Sequence, residues 1–397
     1  MEYRFSSKVS QLKSSAVRDI LKLTQGKDMI SFAGGLPAEE LFPVEAVRDA
    51  ASRIFEGGSG ALQYGLTEGY LPLREQICKR MAVKGMHVTP DEMILTTGSQ
   101  QAIDLLVQVL TEPGDTILVE RPTYLASLQV FAMHGLKVVA AESDENGIIP
   151  ESAEELIRAH KPKLMYAVPT FGNPTGRVWS LERRKRMLEL CRNNDMLVIE
   201  DDPYGDIKFD DEQFPSLFSL DGKAENNHVV YTSTFSKTVA PALRTGWAIG
   251  DSRVIRMVAK AKQAADLHSS TMDQQVLSQL LNRFDLDGHI ALISNAYKER
   301  MLEMESYLRQ SLSPEVSWVT PRGGMFLWVE LPEGLDAEAL LRCAVQKGVA
   351  FVPGSSFYAG SPMRNTARLN FTHNKGARTE MGVARLAEAI GEFTVRS

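Results

Sequence analysis

One lysine stands among hydroxyl side chains in the stretch TSTFSKTVAPALRTGW, residues 232–247. Lys237 follows an apolar run at 229–231, which is typical of a buried strand. Because lysine is among the residues least often buried, an amine at the end of an interior strand calls for a chemical partner. Thr234, Ser236 and Arg244 stand close by in sequence, so an anion together with a group that reacts with an amine would fit here.

A second candidate for anion binding is the segment TTGSQQAIDLL, which follows an apolar run at 93–97. Gly98 permits a tight turn, and Ser99 and Gln100 would open a helix. The free N–H groups and the dipole at a helix start favour an anion, above all phosphate. A plain helix start without a ligand explains this segment equally well.

Three further strand ends carry polar or aromatic side chains. Tyr124 lies in ERPTYLA, Asn173 in VPTFGNPTG, and Asp201 and Tyr204 in VIEDDPYGD. Each has an ordinary explanation: a packed tyrosine, a simple turn and a helix-capping aspartate, respectively. A carboxylate at the end of a central strand is nevertheless costly unless it faces a cation.

Taken together, these residues match the requirements of pyridoxal phosphate, which needs a Schiff-base lysine and an acidic partner for its ring nitrogen. The groups that would hold the phosphate are Ser99, Gln100, Thr234, Ser236 and Arg244. The groups that would hold the ring are Tyr124 by stacking, Asn173 and Tyr204 on the ring hydroxyl, and Asp201 on the protonated nitrogen. Lys237 would carry the cofactor covalently.

These residues must be positioned by a sheet whose strands alternate with helices. The predicted strands are 93–97, 116–120, 137–141, 164–168, 196–201, 228–233 and 245–250. Nearly continuous apolar strands separated by amphipathic helices indicate a mainly parallel, seven-stranded sheet of the α/β class, covered on both faces. The chain after residue 290 predicts a smaller α+β domain. The expected division is an N-terminal segment 1–45 that contributes to the small domain and to an active-site lid, a large domain 46–290 and a small domain 291–397.

Composition and motifs exclude several other classes. The 44 basic and 50 acidic side chains give a net charge of −6, which argues against nucleic acid. Three scattered cysteines favour a reducing cytoplasm, and no apolar run is long enough to span a membrane. The seven histidines form no metal-binding spacing, so we expect no metal. P-loop, dinucleotide and nucleophile-elbow motifs are missing.

Nearly the whole chain resembles the fold-type I pyridoxal-phosphate aminotransferases of class I and II. Within them it is similar to the branch of 2-aminoadipate and kynurenine/aminoadipate aminotransferases. The segments that carry the resemblance are ISFAGGLPAEELFP, LQYGLTEGYLPLR, TTGSQQAIDL, GNPTG, EDDPYGD, TFSK, LRTGW, PRGGMFLWVELP, VAFVPG and TARLNF. The family usually has serine at Thr234, and the hydroxyl is kept here.

The resemblance adds roles that the residue types alone do not give. By the resemblance, Lys237 is the lysine that moves the substrate α-proton, and Arg368 binds the substrate α-carboxylate. Gly35 lies against the substrate, where the resemblance also places Asn173 and Tyr64. Tyr64 reaches the phosphate of a neighbouring subunit as well. A homodimer with shared active sites is therefore implied.

The implied reaction is ping-pong transamination from an L-amino acid to a 2-oxo acid such as 2-oxoglutarate. Candidate donors are 2-aminoadipate, aromatic amino acids, leucine-like amino acids and glutamate. Arg18 is the candidate contact for a distal carboxylate; a solvated arginine is the alternative. Two other functions are weighed: a racemase or lyase that uses the same cofactor, and a non-enzymatic aminotransferase-like domain of a regulator.

Overall fold

The computed structural model describes residues 1, 3–10, 12, 20 and 28–396. Its strands in this part of the chain are β1 (Ile30–Ser31), β2 (Met93–Thr96), β3 (Thr116–Arg121), β4 (Lys137–Asp144), β5 (Gly147–Ile148), β6 (Leu164–Ala167), β7 (Leu197–Asp201), β8 (Val229–Thr234), β9 (Gly246–Ile249), β10 (Ser317–Trp318), β11 (Phe326–Glu330), β12 (Val349–Ala350), β13 (Val352–Pro353) and β14 (Thr366–Asn370). Apart from Ile20, the first helix predicted from sequence, at about 14–26, lies outside the described residues.

The described α-helices are Ser7–Ser10, Val44–Ile54, Leu71–Val83, Gly98–Leu110, Leu125–Met133, Pro150–His160, Leu181–Asn193, Leu217–Asp221, Ser252–Ala265, Thr271–Arg283, Leu286–Ser311, Ala337–Gln346 and Ala377–Arg396. None of the helices in the described residues is long and apolar enough to cross a membrane.

The large sheet has the strand order β2-β9-β8-β7-β6-β3-β4-β5. All seven strands predicted from sequence are present, and β3, β4, β6, β7 and β8 pair in parallel. β9 is antiparallel to both of its neighbours, so β2 runs in the same direction as β8. The predicted count of seven is wrong by one, because the two-residue strand β5 adds to the edge by pairing with β4. A two-residue strand carries too little pattern to be seen in the sequence.

Apolar side chains cover both faces of this sheet. In β8, Val229 and Tyr231 join one buried cluster while Val230 joins the cluster on the opposite face. This alternation follows from the two-residue period of a strand, and the burial of both faces explains why the strands read as continuous apolar runs. The two faces are covered by different helices, Gly98–Leu110 on one and Leu71–Val83 on the other.

The parallel strands bring their carboxyl ends to one edge of the sheet, which is where open α/β sheets bind ligands. At this edge β2 leads to Ser99, β3 to Tyr124 and β6 to Asn173. β7 ends at Asp201, and β8 ends three residues before Lys237. The alternative that Asp201 caps a helix is wrong, since a turn follows it.

A second, four-stranded sheet has the order β10-β11-β14-β13 and carries Arg368 on β14. β1 pairs in parallel with β12, which places the chain at Ile30 beside the C-terminal part. The helix Leu286–Ser311 is continuous across residue 290. The division at 45/46 and 290/291 stays a prediction.

Candidate active site

A cavity of about 170 Å³ opens at the carboxyl edge of the large sheet. Ten of the residues predicted from sequence line it: Ser99, Gln100, Tyr124, Asn173, Asp201, Tyr204, Thr234, Ser236, Lys237 and Arg244. They come from five separate strand ends and the loop that leads into β9. The fold therefore gathers residues that are up to 145 positions apart in the chain into one concave site (Ser99 to Arg244).

Lys237 lies in the turn after β8, with its Nζ donating a hydrogen bond to Gly35 O at 2.9 Å. Burial lowers the pKa of this lysine to about 8, and the nearby charges of Arg368 and Arg244 add to the effect. The neutral amine is therefore accessible near neutral pH, as a nucleophile or proton carrier requires.

Asp201 is the last residue of β7, and its side chain is only 2% exposed. Tyr166 Oη donates to Asp201 Oδ2 at 2.8 Å, and Thr232 Oγ1 donates to Oδ1 at 3.0 Å. Burial raises the pKa of Asp201 to about 6, while the two hydrogen bonds oppose that rise. With a pKa of about 6 the carboxyl group is mostly ionised at neutral pH, and within the described residues no Lys, Arg or His side chain forms an ion pair with it.

The hydroxyl groups at the end of β8 lie close together and can donate and accept hydrogen bonds. Thr234 Oγ1 and Ser236 Oγ share a hydrogen bond of 2.8 Å, and Thr234 Oγ1 also donates to Thr245 O. Arg244 Nη1 reaches Ser236 Oγ at 3.4 Å, and Nη2 reaches Thr97 O at 3.4 Å. These long contacts leave the guanidinium available to an anion.

Close backbone packing brings this set against the start of the helix Gly98–Leu110. A Cβ at Gly246 would lie 2.7 Å from Ser99 N and from Gly98 C. At Gly98 the φ angle is +76°, and a Cβ would lie 2.5 Å from Arg244 Nη2. Only glycine allows both approaches. The Thr97 side chain makes no capping bond, so the first N–H groups of this helix can serve a ligand.

Asn173 lies between Tyr204, the other candidate for binding the ring oxygen, and Arg368, the candidate for binding the substrate carboxylate. Its Nδ2 lies 3.5 Å from Tyr204 Oη, and its Oδ1 accepts a hydrogen bond from Arg368 Nη1 at 2.8 Å. Both Asn173 and Tyr204 are buried. Burial raises the pKa of the Tyr204 hydroxyl well above its usual range, so Tyr204 stays protonated and can donate.

Arg368 sits on β14 with 2% of its surface exposed. Its Nη2 donates to Ala33 O at 2.6 Å, and its guanidinium carbon lies 4.2 Å from the centre of the Phe326 ring. Its Nε is buried and makes no hydrogen bond within the described residues. Burying a cation with an unused N–H donor costs free energy of folding. A carboxylate bound at this position would accept that hydrogen bond and pair with the charge.

Tyr124 precedes the helix Leu125–Met133 and is half-buried on the cavity wall. Burial raises the pKa of its hydroxyl to about 12, with a further contribution from Asp201. The ring is therefore a neutral, flat surface at neutral pH, as stacking on an aromatic ligand requires.

Among the described residues, three site candidates do not line the cavity: Gly35, Tyr64 and Arg368. Gly35 meets the site through its carbonyl bond to Lys237. Tyr64 is 77% exposed, and its ring packs edge-on against His268 at 5.7 Å. Arg18 lies outside the described residues.

Sequence reasoning missed the residues that hold Asp201 in place. Thr232 pairs directly with Asp201 in the register of β7 and β8, and Tyr166 stands on the next strand. Strand pairing was the signal that could have found them, since residues opposite each other on neighbouring strands share a face.

The donor set fits pyridoxal phosphate on the geometry of this chain. The hydroxyl groups, Arg244 and the helix start form an anion cradle, and a Cβ at Gly98 or Gly246 would lie 2.5 to 2.7 Å from its members. Asp201 is a buried carboxylate that still has lone pairs facing the cavity. Lys237 supplies the amine between them.

Comparisons with known proteins agree with this interpretation. The family model for aminotransferase class I and II matches residues 27–390. The chain is 40% identical over 398 residues to Aromatic-amino-acid aminotransferase 1 of Thermococcus litoralis, covering 98% of this chain and 95% of the relative. It is 38% identical over 387 residues to the 2-aminoadipate transaminase of Thermus thermophilus, covering 97% and 96%. The solved kynurenine aminotransferase of Pyrococcus horikoshii, in complex with PMP, has a TM-score of 0.93 and 40% identity, over 98% of this chain and 97% of that chain.

Proposed function

Because the chain belongs to the class I and II aminotransferases, we propose that its cavity moves an amino group from an L-amino acid to a 2-oxo acid by a ping-pong sequence. The chain is a pyridoxal-phosphate-dependent transaminase of fold type I, with amino acids and 2-oxo acids as its substrates. In the proposed sequence the oxo acid made from the donor leaves before the acceptor binds.

One observation supports the assignment of roles above all others. Lys237, Asp201 and Arg244 line the same cavity, so an amine, a buried carboxylate and a guanidinium face one ligand. In the proposal Arg244, Thr234, Ser236 and the helix start bind the phosphate, and Asp201 binds the ring nitrogen. When bound there, pyridoxal phosphate supplies an electron sink for the carbanion that is formed when the substrate loses its α-proton.

The other residues orient the substrate and move its proton. Arg368 binds the α-carboxylate, which places the α-carbon toward Lys237. The neutral amine of Lys237 takes the α-proton as a general base, which its pKa of about 8 allows near neutral pH. Asn173 and Tyr204 hold the ring oxygen, and the phenol of Tyr124 stacks on the ring.

The proposed donors are 2-aminoadipate, aromatic amino acids, leucine-like amino acids and glutamate, with 2-oxoglutarate as acceptor. The names of the two sequence relatives support the first two donors. A screen of amino donors against 2-oxoglutarate, with detection of the released 2-oxo acid, tests this proposal. Release of the donor's 2-oxo acid together with an equal amount of glutamate supports transamination, whereas a racemised donor, or an oxo acid released with ammonia and without glutamate, would overturn it.

The proposal includes a homodimer with shared active sites, in which Tyr64 reaches the phosphate of the partner. The exposed side chains of Leu62, Tyr64 and Leu66 support it, because an apolar surface of this kind favours burial against another chain. Arg18 is proposed to meet the distal carboxylate of dicarboxylic substrates. A cytoplasmic location remains a prediction from the cysteine content.

A further inference from the structure

The loop at 168–180 carries Asn173 from β6 to the helix Leu181–Asn193. Its two arms are joined by backbone hydrogen bonds: Trp179 N donates to Pro169 O at 2.8 Å, and Gly172 N donates to Arg177 O at 3.0 Å. The loop thus folds back on itself with Asn173 near the tip. The position of the Asn173 amide therefore depends on how the base of the loop is held.

Glu120, on the neighbouring strand β3, bonds both ends of the loop at 168–180. Its Oε1 accepts a hydrogen bond from Trp179 Nε1 at 2.6 Å, and its Oε2 accepts one from Val168 N at 3.3 Å. Val168 begins the loop and Trp179 stands near its end. A single carboxylate therefore connects both arms, with one oxygen for each donor.

Arg184, on the helix that follows the loop, bonds the same two ends of the loop. Its side chain is almost fully buried, with 1% exposed. Nη2 donates to Pro169 O and to Thr170 Oγ1, both at 2.9 Å, while Nε donates to Trp179 O at 3.1 Å. Nη1 donates to Pro215 O at 3.1 Å, which fixes the guanidinium to a second segment.

We propose that Glu120 and Arg184 are positioning residues that clamp both arms of the loop at 168–180 and so fix the amide of Asn173 between Tyr204 and Arg368. Neither residue lines the cavity that holds Lys237. Their effect on the reaction passes through Asn173, so the inference rests on the proposed function of that residue.

The two oxygens of Glu120 each accept from one N–H donor, so the number of acceptor oxygens at this position matters. Glu120→Gln keeps the shape but turns an NH₂ group toward one of these donors, and one arm loses its partner. Arg184→Lys removes the planar fork that bonds Pro169 and Trp179 together. Either change releases the base of the loop without replacing a side chain that lines the cavity.

A double-mutant cycle on the holoenzyme tests the clamp. Glu120→Gln and Arg184→Lys are each made in the wild-type and in the Asn173→Ala background. The readouts are kcat/KM for an amino donor, the Kd of 3-phenylpropanoate followed by the visible absorption of the cofactor, and Tm. 3-Phenylpropanoate probes Arg368, because it carries a carboxylate and no amino group.

Displacing a catalytic group lowers the rate by about tenfold to a hundredfold. In the wild-type background we therefore expect either clamp variant to lower kcat/KM by that factor and to raise the Kd of 3-phenylpropanoate. In the Asn173→Ala background the same substitution is expected to change either value less than about twofold, because residues that act through one group are not additive. Equal losses in both backgrounds would overturn the clamp. An Asn173→Ala variant with wild-type values would instead contradict the proposed role of Asn173 and with it this inference.

Glu305→Gln is the matched control. Glu305 is a buried carboxylate on the helix Leu286–Ser311 that, like Glu120, accepts a hydrogen bond from a tryptophan indole, Trp318 Nε1 at 2.7 Å, and it also accepts one from Thr320 Oγ1 at 2.7 Å. It bonds no residue of the loop at 168–180 in the described part of the chain, so this variant is expected to lower Tm without the loss that depends on Asn173. If Glu120→Gln does not fold, Trp179→Phe removes the indole donor alone, and the same cycle decides the question.

Discussion

Arg368 Nη1 donates a hydrogen bond to Asn173 Oδ1 at 2.8 Å, across 195 positions of sequence. The bond joins the four-stranded sheet, which carries Arg368 on β14, to the carboxyl edge of the eight-stranded sheet. Phe326 and Phe357 pack against the guanidinium at 4.2 and 5.2 Å. The candidate carboxylate-binding group is therefore fixed relative to Lys237 by both sheets.

Replacing Arg368 by lysine is expected to lower kcat/KM for every amino donor. Lysine keeps the charge but cannot bond a carboxylate in a bidentate manner, so we expect a loss of about tenfold to a hundredfold. Steady-state kinetics with leucine and phenylalanine measure it. The two factors are expected to agree, because the α-carboxylate is common to both donors; a loss confined to one donor would place Arg368 at the side-chain pocket instead.

Replacing Asp201 by asparagine removes the negative charge that would face the ring nitrogen. We expect kcat to fall by about two to three orders of magnitude, as for other groups that stabilise charge in the transition state. Thr232→Val is the control, because it removes one hydrogen bond to Asp201 and keeps the carboxylate; its loss is expected to stay below about tenfold. Similar kcat values for Asp201→Asn and the wild type would rule out this role.

The reactivity of Lys237 is expected to depend on pH with a midpoint near 8. Its pKa is lowered to about 8, so the neutral amine predominates above that pH and the ammonium below it. In cofactor-free protein, labelling of Lys237 by an amine reagent is expected to rise with pH, to reach half its maximum near pH 8 and to level off about one pH unit above that. Arg368→Met removes a neighbouring positive charge and is expected to move the midpoint upward. A rate that still rises through pH 10 would indicate an ordinary lysine.

Arg18→Ala is expected to lower kcat/KM for 2-aminoadipate relative to leucine, by about tenfold, because a charge-assisted hydrogen bond is lost for the dicarboxylate alone. The ratio of the two values in wild type and variant measures the effect. Arg4→Ala provides a control for the loss of one N-terminal positive charge. An unchanged ratio for Arg18→Ala would remove Arg18 from substrate selection.

Much of the large sheet could be predicted from the sequence because buried parallel strands leave a strong signal. The runs at 116–120 and 228–233 are apolar on both faces, and they appear as β3 and β8 with ends shifted by one residue. β5 was missed because two residues carry no period. Apart from Ile20, the first predicted helix lies outside the described residues, as does Arg18, so both stay predictions.

The candidate site was predicted only in part, for a physical reason. Residues at the ends of parallel strands, such as Asp201 and Lys237, share an edge by topology and can be inferred. Tyr166, Glu120 and Arg184 act through pairing and loop contacts between distant segments, which no local pattern encodes. The cluster of Arg368 with Asn173 likewise depends on how two sheets meet.

The most direct test is to reduce the holoenzyme with borohydride and map the modified peptide by mass spectrometry. If Lys237 carries the cofactor, the mass of a pyridoxyl phosphate group will be found on that side chain. Finding the mass on another lysine, or on none, would contradict the account.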